Sequence, residues 1–92
     1  MLSLLYYGPK DIRLEEIDRP QPKEKDVIVK VMRAGICGSD LKAYLHDGHS
    51  VGILWKDEYP GIDGQFGHEM VGVIDEVGGD VTAVHIGDRV FG

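Results

Sequence analysis

The sequence is short of the features that mark several broad classes of protein. Its 92 residues contain one cysteine, so no disulfide can form within the chain and a reduced, cytoplasmic setting is expected. No apolar run approaches the roughly 20 residues of a membrane-spanning helix. The apolar start at 1–7 lacks the charged beginning and the cleavage site of a signal peptide. A membrane is therefore not an expected partner.

Positive charge is also scarce. Lysine and arginine number 10 against 16 aspartates and glutamates, which leaves a net charge of -6. Proteins that bind nucleic acid need a basic surface, so nucleic acid is not an expected partner. With 42% hydrophobic and 28% charged residues, the composition is that of a soluble globular protein with one small domain and a modest core.

Short β-forming runs separated by glycine and proline predict a mainly β fold. The valine-rich run 26–34 is apolar on both faces and is predicted to be a central strand. A short helix is predicted at 39–45, with Ser39 or Asp40 capping its start. The segment 46–66, which holds the lone Trp55, is predicted to be an irregular functional or mobile loop. The other predicted strands are 2–7, 11–17, 67–77 and one beginning at 89.

Two short motifs carry the residues suited to chemistry. The first is A-G-I-C-G-S-D at 34–40, and the second is G-H-E at 67–69. The thiolate of Cys37 and the imidazole of His68 can ligate one zinc ion if the fold brings them together. The hydroxyl of Ser39 can then handle a proton, while neighbouring carboxylates tune the site.

Each of these residues also has a purely structural interpretation. Cys37 can be a small buried hydrophobe, Ser39 a helix cap and Glu69 an ordinary strand carboxylate. Trp55 can pack within its loop or form a wall of a substrate pocket. The remaining histidines are interpreted as surface residues: His46, His49 and His85.

Four motifs in one order carry a family resemblance: C-G-S-D at 37–40, G-H-E at 67–69, V-G-V-I-D-E-V-G at 71–78 and G-D-R-V at 87–90. Together they resemble the N-terminal GroES-like catalytic domain of the zinc-dependent medium-chain alcohol/polyol dehydrogenases, in their sorbitol and threonine dehydrogenase branch. The resemblance covers essentially all of residues 1–92. It implies a GroES-like, partly open β-barrel with a short helix after the Cys37 loop.

The resemblance also implies roles for individual residues. Cys37 and His68 would be the first and second zinc ligands, and Glu69 would either be a ligand or lie just beyond the metal and be able to swing in, while the family's third protein ligand is missing from this sequence. Ser39 would begin the proton relay from the substrate, and Asp40 would be a buried orienting carboxylate. The implied cofactors are Zn2+ and NAD(P), and the implied substrate is a small alcohol or polyol. An open strand edge at 89–92 makes self-association into a homo-oligomer a further expectation.

Several departures from the family pattern bear on function. Lys42 stands where a relay histidine is common, Val84 replaces an aromatic, and the interval of 31 positions between Cys37 and His68 is long. No G-x-G-x-x-G fingerprint for a dinucleotide is present. The chain is therefore expected to be a truncated catalytic domain without its Rossmann domain, and inactive alone. The alternative is a stand-alone GroES-like binding or assembly module with a vestigial metal site.

Overall fold

The computed structural model describes residues 1–46 and 66–92, and these are mainly β with one short helix. The elements are β1 (Leu2–Gly8), β2 (Asp11–Glu16), β3 (Val27–Ala34), α1 (Gly38–Leu45), β4 (Met70–Val77) and β5 (Arg89–Phe91). One antiparallel sheet contains β1 and β2, and the other has the order β3-β4-β5. Neither sheet closes on itself, which confirms the predicted mainly β, partly open fold. The predictions for His49 and Trp55 lie outside the described residues.

The chain divides into two compact units. The first contains Met1–Arg19 and Ile36–His68, and the second contains Pro20–Gly35 and Glu69–Gly92. The hairpin β1–β2 and the helix α1 belong to the first unit, and the three-stranded sheet is the second. In the described parts of both units, no helix has the length and apolarity needed to cross a bilayer.

Tyr6 links the elements of the first unit. It lies in β1 and pairs with Ile12 of β2. The Tyr6 hydroxyl donates to the carbonyl of Ala43 at 3.0 Å, and its ring stacks on Phe66 with centroids 5.9 Å apart. Ala43, on α1, is only 1% exposed. A small side chain here lets the helix pack closely, so Tyr6 anchors both α1 and the segment that begins at Phe66.

In the second unit, β4 is the central strand of the sheet as described. It pairs with β3 on one side and β5 on the other, and Ile74 is 2% exposed at its middle. The prediction that 26–34 is a central strand is therefore wrong, because β3 has β4 as its sole partner among the described strands. Val31 and Met32 are more than half exposed. Apolar content on both faces of a strand does not by itself specify how many neighbours the strand has.

Two glycines allow close backbone approach in this sheet. A Cβ on Gly72 would collide with the carbonyl oxygen of Lys30 and with the side chain of Val29 on the paired strand. A Cβ on Gly78 would collide with the carbonyls of Lys23 and Glu24. Backbone atoms cannot rotate aside as a flexible side chain can, so both positions exclude any larger residue.

We therefore expect Gly72→Ala to destabilise the chain by about 1–3 kcal/mol, the usual cost of overpacking. The matched control is Gly79→Ala, because a Cβ at Gly79 meets nothing within 4 Å. Urea unfolding followed by circular dichroism measures both variants. Equal midpoints for the two variants would show that the close approach at Gly72 is not a constraint.

The hairpin carries a cluster of polar side chains on its exposed surface. Arg13 pairs with Asp11 through two nitrogen–oxygen contacts of 2.9 Å and lies 4.1 Å over the ring centre of Tyr7. The hydrogen bond from Arg13 lowers the pKa of Asp11. The Tyr7 hydroxyl donates to Glu15 at 2.7 Å, and that bond is the main reason why the pKa of Tyr7 is raised.

The raised pKa of Tyr7 gives a pH prediction of defined sign. A group whose pKa is higher in the folded state contributes stability below its unfolded pKa of about 10 and loses it as the pH rises through the folded value. Glu15→Ala should move the Tyr7 transition towards pH ~10. Absorbance titration of tyrosinate, with Tyr7→Phe identifying the contribution of Tyr7, measures the shift. An unchanged Tyr7 transition in Glu15→Ala would contradict the assignment.

Candidate metal centre

Cys37 lies at the start of α1, at the point where the extended chain becomes helical. Its backbone is extended, with φ of -89° and ψ of 155°, and α1 begins at the next residue, Gly38. The Cys37 carbonyl accepts a hydrogen bond from the N–H of Asp40 at 3.0 Å. The Cys37 N–H in turn donates to Oδ2 of Asp40 at 2.9 Å. These two hydrogen bonds across one turn supply acceptors for backbone N–H groups that have no partner within the helix at its start. They also hold the backbone of Cys37 in place.

His68 is positioned by the residues just before it. The N–H of Phe66 donates to the carbonyl of Leu4 on β1 at 3.0 Å, and the Phe66 ring stacks on Tyr6. Gly67 then turns the chain with a φ of +98°, a conformation that favours glycine. This turn also explains why the strand predicted from residue 67 begins only at Met70.

The two ring nitrogens of His68 face two different side chains of α1. Nδ1 lies 3.1 Å from Oδ1 of Asp40, and Nε2 lies 3.3 Å from the hydroxyl oxygen of Ser39. Asp40 is 3% exposed, and its Oδ1 is at ion-pair distance from the ring without the alignment of a hydrogen bond. A carboxylate can only accept, so the neutral ring is expected to carry its proton on Nδ1 and to keep the lone pair on Nε2.

Cys37 and His68, the two candidate ligands singled out in the sequence, lie close together. The sulfur of Cys37 and a ring nitrogen of His68 lie within 4.8 Å of each other. Bonds of zinc to sulfur and to nitrogen add up to about 4.4 Å. A single ion could therefore reach both atoms after small adjustments. The buried carboxylate of Asp40 next to the ring is the kind of neighbour that orients a metal-binding histidine, so the donor set fits zinc.

Glu69 is peptide-bonded to His68 and is the first residue of this segment in the second unit. Its side chain is exposed. Its carbonyl accepts a hydrogen bond from the N–H of Gly35 at 3.0 Å, which continues the ladder between β3 and β4. The backbone of Glu69 is thus held by the sheet, immediately after the residue that carries the candidate imidazole ligand.

The other histidines that the structure describes do not join this cluster. His46 ends α1 and is exposed, and the exposed His85 lies in a turn where its N–H donates to Asp88. Both agree with their interpretation as surface residues. Lys42, at the position of the common relay histidine, is exposed on the last turn of α1.

One contribution to the site, that of Tyr6, was not foreseen from the sequence, and another goes beyond the expected role of Asp40 as a buried orienting carboxylate. Tyr6 holds both α1 and Phe66, and Asp40 contacts Cys37 and His68 at once. The sequence placed Tyr6 in a strand but carried no signal for its hydroxyl partner, 37 residues away in the chain. Ser39 or Asp40 was predicted to cap the helix, but the N-cap residue is Cys37, and Asp40 at the third helical position accepts the Cys37 N–H through its carboxylate.

Asp40→Ala should destabilise the chain by about 2 kcal/mol, because it removes a buried, charge-assisted bond to the Cys37 N–H and leaves that donor without its acceptor. Ser39→Ala is the matched control on the same turn and should change stability by less than about 0.5 kcal/mol, since Ser39 is exposed. Urea unfolding compares the two. Equal losses of unfolding free energy in the two variants would show that the Asp40 carboxylate does not organise the start of α1.

Comparison with known proteins identifies the family. Residues 23–92 match the model of the alcohol dehydrogenase GroES-like domain. The chain is 38% identical to sorbitol dehydrogenase of Pongo abelii over 89 residues, covering 97% of this chain and 23% of that protein. It is 35% identical to L-threonine 3-dehydrogenase of Marinomonas sp. (strain MWYL1) over 86 residues, covering 94% and 24%.

A solved structure shows the same likeness in three dimensions. The chain superposes on 2R,3R-butanediol dehydrogenase from Bacillus subtilis with a TM-score of 0.82 and 34% identity, covering 98% of this chain and 26% of that one. The chain therefore spans about a quarter of the length of the dehydrogenases it matches. On these matches, the chain belongs to the family of alcohol dehydrogenase GroES-like domains.

Proposed function

We propose that this chain supplies the catalytic-domain residues of a zinc-dependent NAD(P) alcohol or polyol dehydrogenase. The observation that carries the proposal is the approach of the Cys37 sulfur and a His68 ring nitrogen to within 4.8 Å, next to the buried carboxylate of Asp40. On this proposal residues 1–92 belong to the GroES-like domain of such an enzyme.

We propose Cys37, His68 and Glu69 as the zinc ligands. Thiolate, imidazole and carboxylate are all common zinc ligands, and three of them leave a position for substrate, as in catalytic zinc sites. When bound, zinc supplies a Lewis acid that polarises the substrate oxygen and eases loss of its proton. Glu69 qualifies because it follows His68 directly and its backbone is held by Gly35.

The neighbouring residues have separate tasks. Asp40 keeps the His68 ring oriented through Nδ1 and holds the Cys37 backbone through Oδ2. The exposed hydroxyl of Ser39 can accept the substrate proton at Oγ and pass it on. Because Lys42 is an exposed cation, we propose that the proton leaves Ser39 for solvent rather than through a relay histidine.

The names of the relatives support a proposal for the substrate class. Their names specify sorbitol, erythritol or L-threitol, 2R,3R-butanediol and L-threonine, all of which carry a secondary hydroxyl group. We propose a small alcohol or polyol as the substrate and NAD(P) as the hydride acceptor. Cytoplasmic location and self-association are part of the same proposal, and the inactivity of the 92-residue chain alone stays a prediction.

Zinc content tests this proposal directly. The purified 92-residue chain should hold close to one zinc ion, and Cys37→Ser should lose most of it because a hydroxyl is a much poorer zinc ligand than a thiolate. Equilibrium dialysis followed by elemental analysis measures the zinc-to-protein ratio.

The matched control is His85→Ala, which removes an exposed histidine of the second unit and should leave zinc content unchanged. Equal zinc loss in Cys37→Ser and His85→Ala would mean surface binding and would contradict the site. A wild-type chain without zinc would instead favour the binding or assembly module with a vestigial site.

A further inference from the structure

The end of the β3–β4 ladder brings Gly35 against Glu69. The last ladder pair is Ala34 with Met70, and the hydrogen bond from the Gly35 N–H to the Glu69 carbonyl follows it. Residues paired across antiparallel strands have Cβ atoms about 4.5–5.5 Å apart. A Cβ built on Gly35 would lie 3.3 Å from the Cβ of Glu69, which is well below that range. The Glu69 side chain therefore uses space that a side chain at position 35 would fill.

The carboxylate itself occupies that space. The same Cβ on Gly35 would lie 2.6 Å from Oε2 of Glu69, a distance too short for two unbonded heavy atoms of this kind. Gly35 does not adopt a left-handed φ, so alanine could take up its backbone conformation. What glycine provides here is room. Because the colliding oxygen is the far end of a flexible chain, a methyl group would displace the carboxylate, while the Cβ contact of 3.3 Å requires the paired strands to give by only a few tenths of an ångström.

We propose that Gly35 is a positioning residue for the metal site, because its missing side chain lets the Glu69 carboxylate lie at the end of β3, two residues before Cys37. This inference rests on the proposed role of Glu69 as a zinc ligand. A free glutamate samples many rotamers, and a ligand is effective when its rotamer is restricted before the ion arrives. The space beside Gly35 supplies that restriction, and a larger residue removes it.

Gly35→Ala tests the inference through metal binding rather than through turnover. We expect it to lower zinc affinity by about 10- to 100-fold, the usual effect of a residue that orients a ligand. Glu69→Gln should lower affinity at least as much. The double variant should bind no more weakly than Glu69→Gln alone, because both changes remove the same contact. Competition with a chromogenic zinc chelator measures all four proteins.

Cobalt substitution adds a readout that a general loss of structure would not reproduce. The visible spectrum of bound Co2+ should change in Gly35→Ala as it does in Glu69→Gln, while the band from the Cys37 thiolate persists. Gly38→Ala is the matched control, because it lies one residue from Cys37 and a Cβ there meets nothing within 4 Å. Its zinc affinity and cobalt spectrum should equal those of the wild type.

The outcomes separate the inference from the proposed function. Wild-type zinc affinity in Gly35→Ala, with binding weakened in Glu69→Gln, would overturn the inference alone. The inference would also be overturned if the double variant lost zinc affinity by the product of the two single losses, since Gly35 would then act independently of the carboxylate. A wild-type chain that binds no zinc would overturn the inference and the proposed function together.

A second comparison covers the case in which Gly35→Ala loses structure. If the methyl group collides only with Glu69, Gly35→Ala combined with Glu69→Ala should melt at the temperature of Glu69→Ala alone. A double variant that stays destabilised would show that position 35 requires glycine because of the backbone or the Cβ of residue 69 rather than the carboxylate, and would overturn the inference.

Discussion

The buried carboxylate of Asp40 is the contact on which the site depends. One of its oxygens accepts the Cys37 N–H, and the other faces Nδ1 of His68. A buried carboxylate is costly unless its surroundings compensate for lost hydration, so it constrains the groups around it strongly. The same side chain therefore organises the start of α1 and orients the imidazole, which couples a local helix cap to a residue 28 positions further along the chain.

Glycines that lie too close to other atoms to carry a side chain are a second constraint. Gly72 and Gly78 lie against backbone carbonyls of the second unit, where an added methyl group has nowhere to go. Gly35 differs, because its neighbour is a movable carboxylate. Substitution is thus expected to affect the fold at the first two positions and ligand placement at the third. The distinction follows from what each missing Cβ would touch, since backbone resists displacement and a glutamate tip does not.

Much of the local structure could be predicted from the sequence. The strand at 2–7 and the helix at 39–45 agree with β1 and α1 to within one residue, because alternation and turn residues are local signals. For the strand predicted at 11–17, β2 ends at Glu16, although Ile17 continues the pairing by exchanging two hydrogen bonds with Met1. Among the described strands β3 lies at the edge of its sheet, so the central position predicted for 26–34 was wrong there, because the number of partners depends on the order of strands.

The sequence by itself determined the local elements, the family and the candidate metal ligands, since these depend only on the order of the motifs and on residue type. Tertiary structure alone decided that Cys37 and His68 meet, that Asp40 is the buried partner of both, and that Tyr6 anchors Phe66 near the site. It also decided that the Glu69 carboxylate lies over Gly35. These facts depend on distances between residues far apart in the chain, and no local pattern encodes such distances.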